Sequence, residues 1–135
     1  MVDSLLVSQE ALNAFRRETS RLVAETVSRA LARKEEVAHH GAEAPRIITA
    51  GIEFTVRMLD AAMAAGEGVL LDDELRWSLD RLPHDGVLPE HLLSRFKLLR
   101  EVVKECMPKA LAAEIAQVIE WMERRLPQLA AGRNG

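Results

Sequence analysis

Tyrosine is absent from this sequence of 135 residues, which has only two tryptophans and three phenylalanines. Alternating runs of valine and isoleucine are also missing, whereas alanine, leucine, arginine and glutamate are abundant. Aromatic and β-branched residues favour strands, and the abundant residue types favour helices. The sequence therefore predicts an all-α protein without a β-sheet.

Cysteine occurs once, at Cys106, which excludes an internal disulfide and a cysteine-rich zinc site. The formal net charge is −3, so the chain lacks the excess of basic residues that nucleic-acid binding requires. No apolar run is long enough to span a bilayer, and the first residues lack the pattern of a secretory signal. We therefore expect a cytoplasmic protein without a nucleic-acid or membrane partner.

The length suits one domain with one hydrophobic core, which we assign to residues 1–130, with residues 131–135 as a flexible tail. Apolar residues at helical spacing, bounded by proline and glycine, predict five or six helices. The number depends on whether the first helix is broken near Thr19 and Ser20. The predicted helices cover about residues 8–38, 45–65, 72–82 and 89–106, and a last one starts near Pro108.

The second predicted helix, Pro45 to Ala65, is the most apolar segment. Its polar residues fall on a narrow strip, which indicates a helix nearly surrounded by protein. On that strip we expect Arg57 to pair with Glu53 or Asp60. Three acids, Asp72, Asp73 and Glu74, are expected to cap the next helix, because acidic side chains stabilise a helix N-terminus. The last two helices are expected to pack as an antiparallel pair.

The segment Arg57-Met58-Leu59-Asp60-Ala61-Ala62-Met63-Ala64-Ala65-Gly66, followed by Leu71-Asp72-Asp73-Glu74, resembles a helix of the phycobiliproteins. The likeness covers roughly residues 45–126. It extends to the phycobilisome-like domains found beside vitamin B12-binding or signalling modules in non-photosynthetic bacteria, and more distantly to the non-haem globin domains of stressosome sensors. The resemblance implies a globin-like helical bundle.

The same resemblance implies that no pigment is covalently attached. In phycobiliproteins a cysteine on this helix carries the bilin and an aspartate one turn later holds the pyrrole nitrogens, and these positions read Ile48 and Gly51 here. The globin position for a haem-binding histidine, about six residues before Val-x-Pro, falls on Arg81, with His84 one turn away. The expected cofactor is therefore none, with a noncovalent bilin or haem as the alternative.

A candidate ligand pocket follows from these positions, with Arg57 as a partner for an anion or a propionate. Its expected lining consists of Ile48, Gly51, Ile52, Arg57, Met58, Trp77, Arg81 and His84.

The sequence patterns around the other reactive side chains favour structural roles for them. Glu35, Glu36, His39 and His40 suggest a metal site, but adjacent histidines on a helix point in different directions, so a solvated helix end is preferred and no metal is expected. His91 reads as a surface residue at a helix start. Cys106 lies on an apolar stripe, where an unpaired thiol acts as a small hydrophobe.

No Ser/His/Asp set, phosphate-binding glycine loop or CxxC motif is present, so we expect no catalysis. The favoured function is a regulatory or sensory module that acts by homodimerisation or by docking to a signalling protein. The alternative is a noncovalent receptor for a tetrapyrrole or another apolar small molecule.

Overall fold

Helices make up nearly all of the chain in this computed structural model, which describes residues 7–134. The α-helices are α1 (Gln9–Leu31), α2 (Lys34–His40), α3 (Ala44–Ala65), α4 (Gly68–Arg81), α5 (Pro89–Cys106) and α6 (Lys109–Asn134). Short 3-10 segments, Gly41–Glu43 and Leu82–Asp85, precede α3 and follow α4. No β-strand occurs within residues 7–134, which confirms the all-α prediction.

Helix α1 begins where the sequence predicted and ends earlier. Ser8 caps it, because its Oγ accepts a hydrogen bond from the backbone N–H of Ala11 at 3.1 Å. The chain breaks at Ala32 and Arg33, not near Thr19. The Thr19 hydroxyl donates to the carbonyl of Phe15 one turn earlier at 3.0 Å, an arrangement that a helix interior accommodates. The break separates α2 from α1.

Helix α3 has the predicted ends. Pro45 lies in its first turn, and Gly66 ends it with a positive φ of 72°, a conformation that glycine adopts without strain. One face is buried, but Arg46, Glu53 and Arg57 lie on an exposed face, so the helix is less enclosed than the sequence predicted. The surrounding elements cover α3 from one side only.

Helix α4 starts at Gly68, four positions before the acids that were expected to cap it, so that prediction is wrong. Asp72 lies inside the helix and instead binds α6, where Arg125 donates from Nε and Nη2 to the two carboxylate oxygens at 2.8 Å each. This two-pronged bond joins α4 to α6, and it keeps the pKa of Asp72 below its ordinary value.

The Asp72–Arg125 contact predicts a pH-dependent stability. Asp72→Asn should lower the free energy of unfolding by about 1 kcal/mol at pH 7, because the pair is only partly exposed and bidentate. A lowered folded pKa stabilises the protein above the unfolded value, and this contribution is lost as the pH falls. Urea unfolding of both proteins should therefore show a constant difference between pH 7 and 5 that shrinks below about pH 4. A difference that persists unchanged at pH 3 would contradict the role of this carboxylate.

Helices α5 and α6 make the most extensive helix–helix contact among the described residues, and they are joined by the expected corner at Met107 and Pro108. Helix α1 packs against α3, α5 and α6, and the main core lies among these four helices and the buried leucines of α4. Cys106 is half-buried and packs against this core. Helix α6 continues to Asn134 and includes positions 131–134, for which the sequence predicted a flexible tail. The main core includes Phe15, Leu22, Leu59, Phe96, Leu99, Ile115 and Ile119.

A smaller second core lies where α1, α2, α3 and α5 meet. It contains Ala30, Ala44, Ile48, Ile52 and Leu98. Within the described residues, no helix has the combination of length and apolar composition needed to cross a membrane. The second core positions α2 against α5, and the polar side chains described below lie at that contact.

Candidate functional site

The apolar members of the predicted ligand pocket lie in the two cores. Ile48 is fully buried, Ile52 is 1% exposed, and both belong to the second core. Met58 is buried in the main core and also borders a surface groove between α3 and α4. Burial in packed cores leaves these side chains little surface for a ligand.

The remaining predicted residues lie at the surface. Arg57 borders the α3–α4 groove, and Trp77 is 48% exposed, with its ring 5.5 Å from that of Phe54. Arg81 is exposed and lies 3.6 Å from the carboxylate of Asp85. His84 is exposed in the 3-10 segment after α4. Thus Arg57 and Met58 border one groove, and Trp77 lies beside Phe54, which borders the same groove. The structure does not bring all eight predicted residues together in one pocket.

A different set of polar side chains converges at the contact of α2 with α5. We call Glu36, His39, His40, His91 and Arg95 the junction cluster. Arg95 is only 1% exposed, and its Nε donates to Oε1 of Glu36 at 3.2 Å. Nη1 and Nη2 of Arg95 are buried without a hydrogen-bond partner. Burial lowers the pKa of Arg95 from its ordinary value, and Glu36 opposes that shift.

Gly51 of α3 provides the space for this buried guanidinium. A Cβ at position 51 would overlap Nη1 of Arg95 and would lie 3.2 Å from its Cζ. The resemblance to phycobiliproteins suggested this glycine as the site of a missing carboxylate. In the structure its lack of a side chain instead lets Arg95 approach the backbone of α3.

The three histidines of the junction cluster have their rings in mutual contact. Ring centroids are 5.0 Å apart for His39 and His40, 4.7 Å for His39 and His91, and 5.4 Å for His40 and His91. His39 donates from Nε2 to the carbonyl of Gly86 at 2.7 Å, whereas Nε2 of His40 is buried without a partner. The expectation of a solvated helix end therefore describes His39 but not His40.

His91 caps the start of α5. The backbone N–H of Leu88 donates to its Nδ1 at 3.1 Å, so the neutral ring carries its proton on Nε2. Burial is the largest cause that lowers the pKa of both His40 and His91, and it outweighs the opposing charge of Glu36. Burial therefore favours the neutral form of both rings.

An open pocket of about 630 Å³ adjoins the junction cluster, and its walls include Lys34, Glu36, His39 and His91. Solvent and small ions thus reach the cluster from one side. A pocket of this size that presents imidazole nitrogens and a carboxylate can bind a cation or exchange protons with a partner.

The sequence suggested a metal site at Glu35, Glu36, His39 and His40, for which a solvated helix end was preferred, and it placed His91 at the surface. It did not predict that His91 meets Glu36 and His40. Glu36 and His40 are four residues apart on α2, a spacing that places both on one face of the helix. Arg95 stands between Leu92 and Phe96 on the buried stripe of α5, and that position is a signal of a buried cation.

These features define an all-α protein with a buried ion pair and a histidine cluster at one helix junction. No family model matches the chain, and neither a curated protein nor a solved structure is significantly similar to it.

Proposed function

We propose that this chain is a regulatory module with a globin-like arrangement of helices, and that it acts by self-association rather than by catalysis. The helix order supports the proposed arrangement, because a long α3 and a short α4 precede the α5–α6 pair. The surface between α3 and α4 carries the proposal of self-association. We define this α3–α4 surface by Phe54, Arg57, Leu70, Glu74 and Trp77.

Large apolar side chains are exposed on the α3–α4 surface and beside it. Trp77 is 48% exposed and Leu70 is 38% exposed, and neighbouring Val69 is 59% exposed. Phe54 and Leu70 both border the groove of about 260 Å³ between the two helices. Removing apolar area from water is worth about 25 cal/mol per Å², so a contiguous exposed patch favours association.

The charges on this surface favour a second copy of the same chain as the occupant. Arg57 and Glu74 border the groove from opposite helices, yet neither forms an ion pair within residues 7–134. Asp60, one of the two expected partners of Arg57, is bound instead by Arg16, whose Nε lies 2.9 Å from its carboxylate. Arg57 forms no ion pair with Glu53, the other expected partner, within residues 7–134. In a two-fold symmetric dimer, Arg57 of each copy faces Glu74 of the other, so one surface satisfies both charges.

Charge reversal tests this pairing. Light scattering and sedimentation should show a dimer for the unaltered chain. Arg57→Glu or Glu74→Arg alone should raise the dimer dissociation constant at least about tenfold, because like charges then meet across the interface. The double variant should recover dimerisation. Arg17→Glu, an exposed change on α1, is the matched control and should leave the mass unchanged.

Two results would contradict self-association through this surface. One is a monomeric mass for the unaltered chain at all accessible concentrations. The other is a dimer that neither single reversal weakens, since that dimer would use a different face.

A second groove favours a second candidate function, that of a noncovalent receptor for an apolar small molecule. It measures about 580 Å³ between α1 and α3, and Val23, Val27, Val56 and Arg57 are among its lining residues. An apolar ligand with an acidic group would place that group near Arg57. A haem would lack an axial ligand, because no histidine, cysteine or methionine lines this groove. A stoichiometric visible absorption band after expression with biliverdin would favour this candidate. Loss of that band in Val27→Glu would locate the pigment in this groove.

A further inference from the structure

Three side chains with metal-binding atoms converge in the junction cluster. Glu36 and His40 come from successive turns of α2, and His91 comes from the first turn of α5. One potential ligand atom from each residue lies within 4.8 Å of the others. Two ligands on one tetrahedral zinc ion are about 3.4 Å apart, given bonds of about 2.1 Å. Small side-chain rotations therefore suffice to bring the three atoms onto one ion.

The cluster also contains a polar atom that the protein leaves unsatisfied. Nε2 of His40 is buried without a hydrogen-bond partner. A buried polar group in this state destabilises the fold, and native proteins usually satisfy such groups with water, an ion or another side chain. A cation between Glu36 and the two imidazoles would give this nitrogen a partner.

We propose that Glu36, His40 and His91 form a binding site for a divalent transition-metal ion of the zinc type. Two imidazoles and one carboxylate are the ligand set that suits Zn²⁺ and its neighbours, whereas calcium and magnesium require more oxygen ligands. Three protein ligands leave a fourth position open toward the adjoining pocket. The site lies away from the α3–α4 surface and does not depend on self-association.

Arg95 determines how the carboxylate can bind this ion. Its Nε holds Oε1 of Glu36 at 3.2 Å, which orients the carboxylate and leaves the second oxygen for the metal. The same guanidinium adds a positive charge beside the ion and opposes binding. We therefore expect an affinity in the micromolar range, weaker than that of structural zinc sites.

Metal binding also changes the start of α5. In the metal-free state Nδ1 of His91 accepts the N–H of Leu88. A metal on Nδ1 uses that lone pair directly, and a metal on Nε2 moves the ring proton to Nδ1, so in both cases the acceptor is lost. The ion and the N-terminus of α5 therefore compete for His91. Occupancy of the site is coupled in this way to the segment from Gly86 to Leu88, which His39 also contacts.

Calorimetric titration of the chelator-treated protein with zinc chloride tests the site. The unaltered chain should bind one ion, and Co²⁺ should give a visible absorption band typical of coordination by nitrogen and oxygen. His40→Gln and His91→Gln should each weaken binding at least about tenfold. His84→Gln, which removes an exposed histidine outside the cluster, is the matched control and should bind as the unaltered chain does.

A second measurement uses the unaltered chain alone, because a substitution at the junction can also loosen α2. The imidazole nitrogen resonances of His40 and His91 should shift on addition of Zn²⁺, together with the backbone amide of Leu88, while those of His84 stay in place. Absence of a Co²⁺ band, or unchanged His40 and His91 resonances at saturating zinc, would overturn the proposal. Equal affinity in all three histidine variants would also overturn it, since the ion would then lie elsewhere.

Discussion

Replacing Glu36 with leucine should lower the free energy of unfolding by about 3–5 kcal/mol. Arg95 keeps its positive charge in any environment, and it is only 1% exposed. Glu36 is its ion-pair partner, and the two terminal nitrogens of the guanidinium already lack partners. The substitution therefore leaves an uncompensated buried charge. Urea unfolding in the presence of a chelator measures the loss without any contribution from bound metal.

A second substitution in the same chain, Arg95→Met, should restore most of the lost stability. The double variant places apolar side chains of similar length in the junction and leaves no buried charge to desolvate. The coupling free energy between positions 36 and 95 is then several kcal/mol, whereas two independent substitutions would give a value near zero.

An exposed pair provides the control for this cycle. Nε of Arg46 lies 2.6 Å from Oε2 of Glu43, but both side chains are mostly in water. Glu43→Leu should therefore change the free energy of unfolding by no more than about 0.5 kcal/mol. If Glu36→Leu costs as little as Glu43→Leu, then Arg95 reaches water and the junction is not closed.

Local signals account for the helices that the sequence predicted well. Pro45 and Pro89 occupy first turns, where a missing N–H carries no cost, and Gly66 adopts the positive φ that ends α3. The start of α4 was missed because Asp72 and its neighbours resemble a cap. The pairing of Asp72 with α6 depends on Arg125, which is distant in sequence, so no local pattern reveals it.

The junction cluster shows the same limit of local reasoning. Glu36 and Arg95 are 59 positions apart, and the meeting of α2 with α5 depends on the break after α1. The eight predicted pocket residues do not share one pocket for a related reason. They were taken from the resemblance and lie on α3, on α4 and in the 3-10 segment after α4, whereas helical spacing turns Ile48 inward and Arg57 outward.

Truncation of Ile48 to alanine should lower the free energy of unfolding by about 2–4 kcal/mol. Ile48 is fully buried among its neighbours in the second core, so the shortened side chain leaves a cavity there. Helices α1 and α5 cannot both move inward, because each also packs in the main core. Thermal and urea unfolding measure the loss directly.

This prediction separates a core residue from a residue that lines a ligand pocket. A pocket wall already borders open space, so its truncation costs less stability and changes ligand affinity instead. Arg46→Ala, on the exposed face of the same helix and outside both grooves, is the control and should remain within about 0.5 kcal/mol of the unaltered chain. If Ile48→Ala matched that control and altered the uptake of an apolar ligand, position 48 would line a binding pocket. A large loss of stability would instead assign Ile48 to the second core. That core holds α2 against α5 and so maintains the geometry of the junction cluster.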